Sequence, residues 1–321
     1  MSILKVACGP ADIGVGGYEW NTELVSSRFD PKRVEGCFAT GNARVLTLPH
    51  DAPSGTEVWY HFRHAQGDNT FLLIDGTFLT IEDGNSEDLV RLGYSDAKVY
   101  MEVVGDTVDR SGEQQLGENV AYSFDLHVIV GSTVTCRWYI NGALYGEKTV
   151  DNVAGGRGVA RSATWAHSNQ YQTTYASEIV VADEDTRGMR VREMRPRSFG
   201  IFQEWDGSIN ALRDDDLATG ISTELPNRRV SFGVTNVENV QPGDVINRVV
   251  AQTFAQKGET GLSGFTHFFR HRNGNVTDGA DQSLSVLGEY FVEEFSVNPD
   301  TGVAWQPEDF RSLQTGIQSR A

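Results

Sequence analysis

The run from Tyr122 to Val150 constrains this chain most. Read in twos, Phe124, Leu126, Val128 and Val130 share one face, and Val134, Cys136, Trp138 and Ile140 repeat the pattern in the next run. Successive side chains of a strand point to opposite faces, so each run predicts a half-buried β-strand. Between the second run and the return arm carrying Leu144 and Val150 stands Asn141-Gly142. A tight type I′ turn needs positive φ at both central residues, and Asn-Gly meets that demand at the lowest steric cost. Three antiparallel strands are therefore expected here.

The segments YSFDLHVIV and VTCRWYINGALY resemble the strand pair of laminin-G and concanavalin-A-like jelly rolls, where an aromatic-bearing strand meets an Asn-Gly or Asp-Gly turn. That resemblance implies a two-sheet sandwich, and the neighbouring sequence suits one. Ile3 to Cys8 reads as a first strand, because its apolar stretch is too short for a secretory signal. Val45–Leu48 ends at Pro49, Val58–Arg63 alternates, and Phe71–Ile74 with Asp75-Gly76 reads as an arm and turn. Phe78, Leu79 and Ile81, then Val99–Val104, and finally Ser177–Ala182 complete the series, closed by an acidic turn at Asp183–Asp185. No proline lies between Pro53 and Pro196. Proline removes a ladder donor and is excluded from central strands, so this gap marks one continuous sheet-rich domain, 1–195.

Pro196 punctuates the start of a second module, 196–321. Residues 198–225 read as loop. Strands are expected at Arg229–Val234, Gly264–His271 and within Ser283–Val297, with a second tight turn at Asn273-Gly274. The stretch Val245–Gln256 fits a strand or a helix, and its β-branched content favours the strand. Pro307, followed by two acids, predicts a short terminal helix with Gly316 as its C-cap. The expected fold is thus all-β: a concanavalin-A-like jelly-roll sandwich followed by a smaller β-sandwich module with a short C-terminal helix.

The length of 321 residues agrees with two domains, and the 34 glycines suit a turn-rich β protein. A net charge of −17 repels nucleic-acid backbones and anionic membranes, which excludes both as partners for the whole chain. No run of about 18 apolar residues is present to insert as a membrane-spanning helix. Cys8, Cys37 and Cys136 are odd in number and widely spaced, which predicts reduced, buried thiols, folding in a cytoplasm, and no metal cluster.

Two segments, SEIVVADEDTRG at Ser177–Gly188 and NPDTGVAWQPEDFRSLQTG at Asn298–Gly316, resemble virion structural proteins of tailed bacteriophages and phage-derived gene transfer agents. This resemblance implies a head or tail appendage: a fibre, spike or decoration subunit located on the virion and assembled in the host cytoplasm. It implies other virion proteins as partners, a homo-oligomer with a trimer favoured, and contact with host-cell polysaccharide. It supplies no catalytic residues and no cofactor.

Chemistry-bearing constellations remain to be weighed. Jelly-roll glycan hydrolases place carboxylates on alternate residues of one strand, so that both reach one cleft. Asp183-Glu184-Asp185 and Glu293-Glu294 are consecutive and would point to opposite faces, so no catalytic pair is assigned. His267 with His271, and His61 with His64, lack a third ligand and read as strand histidines. Acidic turns at Asp106–Asp109 and Asp214–Asp216 are candidate calcium loops, read first as solvated turns. Gly14–Gly17 lacks the lysine of a phosphate loop. The arginines at 187, 190, 192, 195 and 197 suit acidic sugars or a partner, but read first as ion pairs with nearby acids. The tentative glycan site is the loop bearing Trp165, His167, Asn169, Tyr171 and Tyr175, where rings, amides and hydroxyls mingle. The leading expectation is a non-enzymatic virion component that contacts glycan. A free-standing lectin-like protein and a jelly-roll glycan hydrolase are the alternatives.

Overall fold

A computed structural model of the chain describes residues 3–8, 17–21, 29, 34, 36–41, 44–66, 76–95, 98–105, 108–114, 116–117, 120–152, 156–166, 173–213, 218–235, 237–259 and 261–321. By internal packing the chain divides into Met1–Arg192 and Glu193–Ala321. The expected arm at 71–75, the residues Asp106, His167, Asn169 and Tyr171, and the turn Asp214–Asp216 lie outside the described residues.

The first unit holds β1 (Ile3–Ala7), β2 (Glu19–Asn21), β3 (Cys37–Gly41), β4 (Val45–Pro49) and β5 (Glu57–Gln66). Next come β6 (Gly76–Asp83), β7 (Asp88–Ser95), β8 (Lys98–Val104) and β9 (Val108–Gln114). β10 (Tyr122–Val130), β11 (Thr133–Ile140), β12 (Ala143–Asp151), β13 (Ala160–Ala166) and β14 (Thr173–Ala182) complete it. One sheet has eight strands in the order β12-β11-β10-β5-β14-β3-β2, with β1 also paired to β14. The other has six, in the order β4-β13-β6-β7-β8-β9. The two face each other as an antiparallel sandwich of jelly-roll type. The period-two reading holds: β10 and β11 pair from Phe124–Ile140 to Val130–Val134. Their apolar faces join Val58, Tyr60 and Phe62 of β5 and Leu92, Met101 and Trp165 of the opposite sheet in one buried core.

The turn behaves as its residues require. Asn141 has φ 50° and Gly142 φ 80°. A Cβ at Gly142 would meet open space, so a substitution there tests backbone conformation alone. Gly142→Ala should destabilise the unit by about 1–2 kcal/mol in chemical denaturation. An unchanged midpoint would mean that the turn is not conformationally demanding.

Two histidines bridge the sandwich interior to tyrosine hydroxyls. His64 Nε2 lies 2.6 Å from Tyr94 Oη, and His50 Nε2 lies 2.7 Å from Tyr60 Oη. His50 Nδ1 donates to the Asp51 carbonyl at 2.8 Å, so its Nε2 accepts the tyrosine proton. Burial lowers the His50 pKa from 6.5 to about 4, against the raising effect of the Asp51 carbonyl. A group that resists protonation only when folded binds more protons when unfolded. Stability should therefore fall as pH drops from about 6.5 towards about 4, by roughly 3 kcal/mol for this residue. A His50→Gln variant should show a flatter melting-temperature profile across that window; an identical slope would remove His50 from the account.

The second unit holds β15 (Pro196–Gln203), β16 (Arg229–Val234), β17 (Val249–Ala255), β18 (Gly264–Arg270), β19 (Val276–Ser283), β20 (Glu289–Phe295) and β21 (Gln314–Arg320). A five-stranded sheet runs β15-β16-β21-β18-β19, and β17 and β20 form a separate ribbon. The ribbon packs on the sheet through Phe291 against Phe265 and Phe295 against Phe269, with centroids 5.1 and 4.8 Å apart. At the Asn273-Gly274 turn, Asn273 Nδ2 and Asn275 Nδ2 donate to the Asp300 carboxylate, which ties the Asn298–Gly302 loop to the hairpin tip.

Two expectations for this unit are corrected. Residues 198–225 are not loop throughout, because β15 extends to Gln203 and a 3₁₀ turn spans Ile209–Leu212. Pro196 opens β15, an edge strand, where its missing donor costs no ladder bond. The terminal helix is a single 3₁₀ turn, Pro307–Phe310, with a Gln306–Asp309 capping box. Gly316 is no cap: it lies inside β21, which sits between β16 and β18. A Cβ there would collide with the Phe268 ring and the Val230 carbonyl, so close packing explains the glycine.

A candidate binding face on the larger sheet

The inward side of β5, β10 and β11 is core, so the alternate residues form the outward face. Strand register aligns Trp59, His127, Arg137 and Glu147 in one row across β5, β10, β11 and β12. The next row sets His61, Asp125 and Tyr139 side by side, and the third sets Arg63 beside Ser123.

In this grid the rings stack. Trp59 lies on His127 with centroids 4.2 Å apart and planes 11° apart, and on Tyr139 at 5.8 Å and 23°. His127 Nε2 meets a Glu57 carboxylate oxygen at 2.9 Å, and Arg137 pairs with Glu147 at 3.2 Å. Burial lowers the His127 pKa, opposed by the hydrogen bond to Glu57. His61 Nδ1 donates to Asp125 Oδ1 at 2.8 Å, and both side chains are essentially inaccessible to solvent.

The segment following β14 crosses this face. Thr186, fully buried, donates its hydroxyl to Asp125 Oδ1 at 2.9 Å. The Arg187 guanidinium lies over the Tyr139 ring at 4.7 Å and over Trp59 at 5.5 Å. Its Nε donates to both carboxylate oxygens of Asp185, at 2.9 and 3.0 Å. That pairing holds the Asp185 carboxyl below its usual range. Arg190 reaches Ser123 Oγ at 3.5 Å. Beside the grid, Glu178 is buried with φ 51°, where the β14 register slips between Ser177 and Val180. Its carboxylate lies 3.7 Å from Arg63 Nε. Positive φ at a glutamate is strained and persists only where surrounding structure enforces it.

The face presents guanidinium forks and paired charges above stacked rings that are themselves buried. The His61–Asp125 pair resembles the base and orienter of an acid–base site, but it lies buried beneath Thr186. The acids at this face have partners: Glu57 on His127, Asp125 on His61 and Thr186, Glu147 on Arg137, and Asp185 on Arg187.

The residues singled out in the sequence are placed differently. Trp165 is fully buried in β13 and stacks edge-on against Phe62, so its ring faces core rather than ligand. Tyr175, on β14 of the other sheet, packs against the small cluster of Phe29, Val34, Cys37 and Ala65. Of the loop site, Trp165 belongs to the core, Tyr175 is half-buried against that separate cluster, and His167, Asn169 and Tyr171 lie outside the described residues. His61 points outward and His64 inward from one strand, so they cannot share an ion. His267 bonds Thr253 and Glu293, whereas His271 bonds Thr277. No group of three or more metal-ligating side chains occurs among the described residues. Of the arginine run, Arg187 pairs with Asp185 and Arg195 with Glu193, as the ion-pair reading expects. Cys8, Cys37 and Cys136 are buried free thiols, and burial pushes the Cys136 pKa far up. Among the described residues no helix is long and apolar enough to cross a membrane.

The grid of outward residues on this sheet has a signal in the sequence. The outward positions of WYHFRH, SFDLH and RWY carry Trp, His, Arg, Ser, Asp, His, Arg and Tyr. These outward positions are themselves covered: Trp59, His61, Ser123, Asp125, His127 and Tyr139 are all buried.

Fold and face define an antiparallel β-sandwich protein with an aromatic, charge-paired outer sheet. No family model matches the chain, and no curated protein matches it in sequence. Among solved structures it is similar to an endo-β-1,4-glucuronan lyase from the fungus Trichoderma reesei, at 11% identity and a TM-score of 0.41, over 58% of this chain and 93% of that one. It is similar to the cellulose induced protein Cip1, at 13% identity and a TM-score of 0.40, over 56% and 92%. It is also similar to the receptor binding domain of a botulinum neurotoxin C/D mosaic serotype, at 8% identity and a TM-score of 0.38, over 48% of this chain and only 40% of that one.

Proposed function

We propose that the protein is a non-enzymatic subunit of a phage or phage-like particle, a fibre, spike or decoration, whose first unit contacts host-surface carbohydrate. The particle reading is supported by the segments Ser177–Gly188 and Asn298–Gly316, which resemble virion structural proteins, and the carbohydrate part by the outer face of the larger sheet. It holds three stacked rings in fixed register, buried beneath the half-exposed Arg137 and Arg187 guanidinium groups, while the acids at that face are engaged by His61, His127, Arg137 and Arg187. The exposed Arg137 and Arg187 forks are binding groups, whereas a glycan hydrolase needs two carboxyl groups facing each other across a substrate. The net charge of −17 and the turn-tightened sandwich suit the outside of a particle. Sheet edges favour assembly with further copies, so a homo-oligomer accompanies the reading.

Particles purified on a density gradient from producing cells test the assembly. Antibody to this chain should label them at a fixed position under the electron microscope. Recovery of the protein only in the free fraction would contradict the virion assignment and favour a free-standing binding protein.

A further inference from the structure

We infer that the chain carries a self-modification site at Asn141-Gly142, which converts to aspartate and isoaspartate with water as the only co-reactant. The Asn273-Gly274 turn is held against the same reaction. Both Asn-Gly pairs of the chain sit at exposed hairpin tips. In such a pair the glycine backbone nitrogen can attack Cγ of the asparagine, because glycine has no Cβ to hinder the approach. The new N–Cγ bond closes a succinimide ring. The Cγ–Nδ2 bond breaks, and ammonia leaves with the proton from the glycine nitrogen. Water then cleaves N–Cγ to give aspartate, or the original peptide C–N bond to give isoaspartate. Nothing is oxidised or reduced.

The two turns differ in what must break before the nitrogen reaches Cγ. Asn141 Oδ1 accepts the Ser123 N–H at 3.0 Å, the only hydrogen bond of its carboxamide among the described residues. That donor also polarises the carbonyl under attack. The Gly142 N–H donates to no group among the described residues, and the space where a Cβ would stand is open. At the second turn both ends of the carboxamide are held. Asn273 Nδ2 donates to Asp300 Oδ2 at 2.6 Å, and Oδ1 accepts the Asn275 N–H at 2.9 Å. The attacking group is tied as well, since the Gly274 N–H donates to the His271 carbonyl at 2.9 Å. Reaction requires local opening, and each further hydrogen bond lowers the open population. The products also differ. Aspartate keeps an acceptor for Ser123, whereas isoaspartate lengthens the main chain by one carbon between Ile140 and Ala143, which the strands hold as a pair.

Incubation of the full chain at mildly alkaline pH, with peptide mass mapping over time, tests the inference. An isoaspartyl methyltransferase assay on the separated peptides marks the isoaspartate. In the folded chain Asn141 should convert at least about tenfold faster than Asn273, the ratio that one or two further charge-assisted bonds impose. In denaturant the two rates should converge. Asp300→Ala, which frees the carboxamide of Asn273, should raise the rate there several-fold and leave Asn141 unchanged. Equal rates in the folded chain would overturn the inference, and so would a folded chain in which neither turn converts while both do in denaturant. An Asn273 rate indifferent to Asp300→Ala would overturn the clamp as the source of the choice.

Discussion

Replacing His61 with alanine is expected to destabilise the first unit by about 3–5 kcal/mol, the range for removing one member of a buried polar pair. His61 and Asp125 are 0% and 1% exposed, and the imidazole N–H is one of two donors to the same carboxylate oxygen, the other being Thr186. Without the imidazole, Asp125 keeps a single hydrogen bond in a site closed to solvent. Denaturant midpoints of His61→Ala, Asp125→Ala and the double variant check this. The double variant should be clearly more stable than the sum of the single losses predicts, because its buried carboxyl is gone. Additive losses would mean that the pair does not act as a unit. Thr186→Ala should cost less, about 1–3 kcal/mol, and should loosen the segment that carries Arg187.

Trp165→Ala is expected to cost about 3–5 kcal/mol and to lower binding only as far as it unfolds the protein. Trp165 has no accessible surface, lies on β13, and meets Phe62 of the opposite sheet edge-on at 5.6 Å. Its removal leaves a cavity between the sheets rather than a bare patch outside them. Calorimetric unfolding measures the loss directly. A stable variant with selectively weakened glycan binding would restore the loop as the ligand surface and displace the sheet face.

The two variants mark where reading the sequence succeeds and where it stops. The β10–β11–β12 meander was legible because alternation and Asn141-Gly142 state the same structure twice, once in packing and once in turn geometry. β13 was not, since Ala160, Ser162, Ala163 and Ala166 give little apolar contrast, and Trp165 beside amides looks like a binding loop. Its burial is set by the opposite sheet, whose Phe62 lies about a hundred positions earlier in the chain. Gly316 misled for a similar reason. A glycine after a helical turn is a good cap, yet here the pressure comes from Phe268 on the neighbouring strand. The outer face was hidden by register. Trp59, His127 and Tyr139 come from three separate strands, and only pairing shows that they stack. The strain at Glu178 carries no signature in the local residues either, because the slip in β14 arises from pairing with β5.

The central claim is that a rigid sheet face holds host-surface carbohydrate without cutting it. One incubation tests this most directly: purified full-length protein with envelope polysaccharide of the host, measuring both the amount retained and the size distribution of the polysaccharide. The account predicts retention that falls in Arg187→Ala, with chain lengths identical before and after. Shortened chains, or polysaccharide passing through unretained, would contradict it.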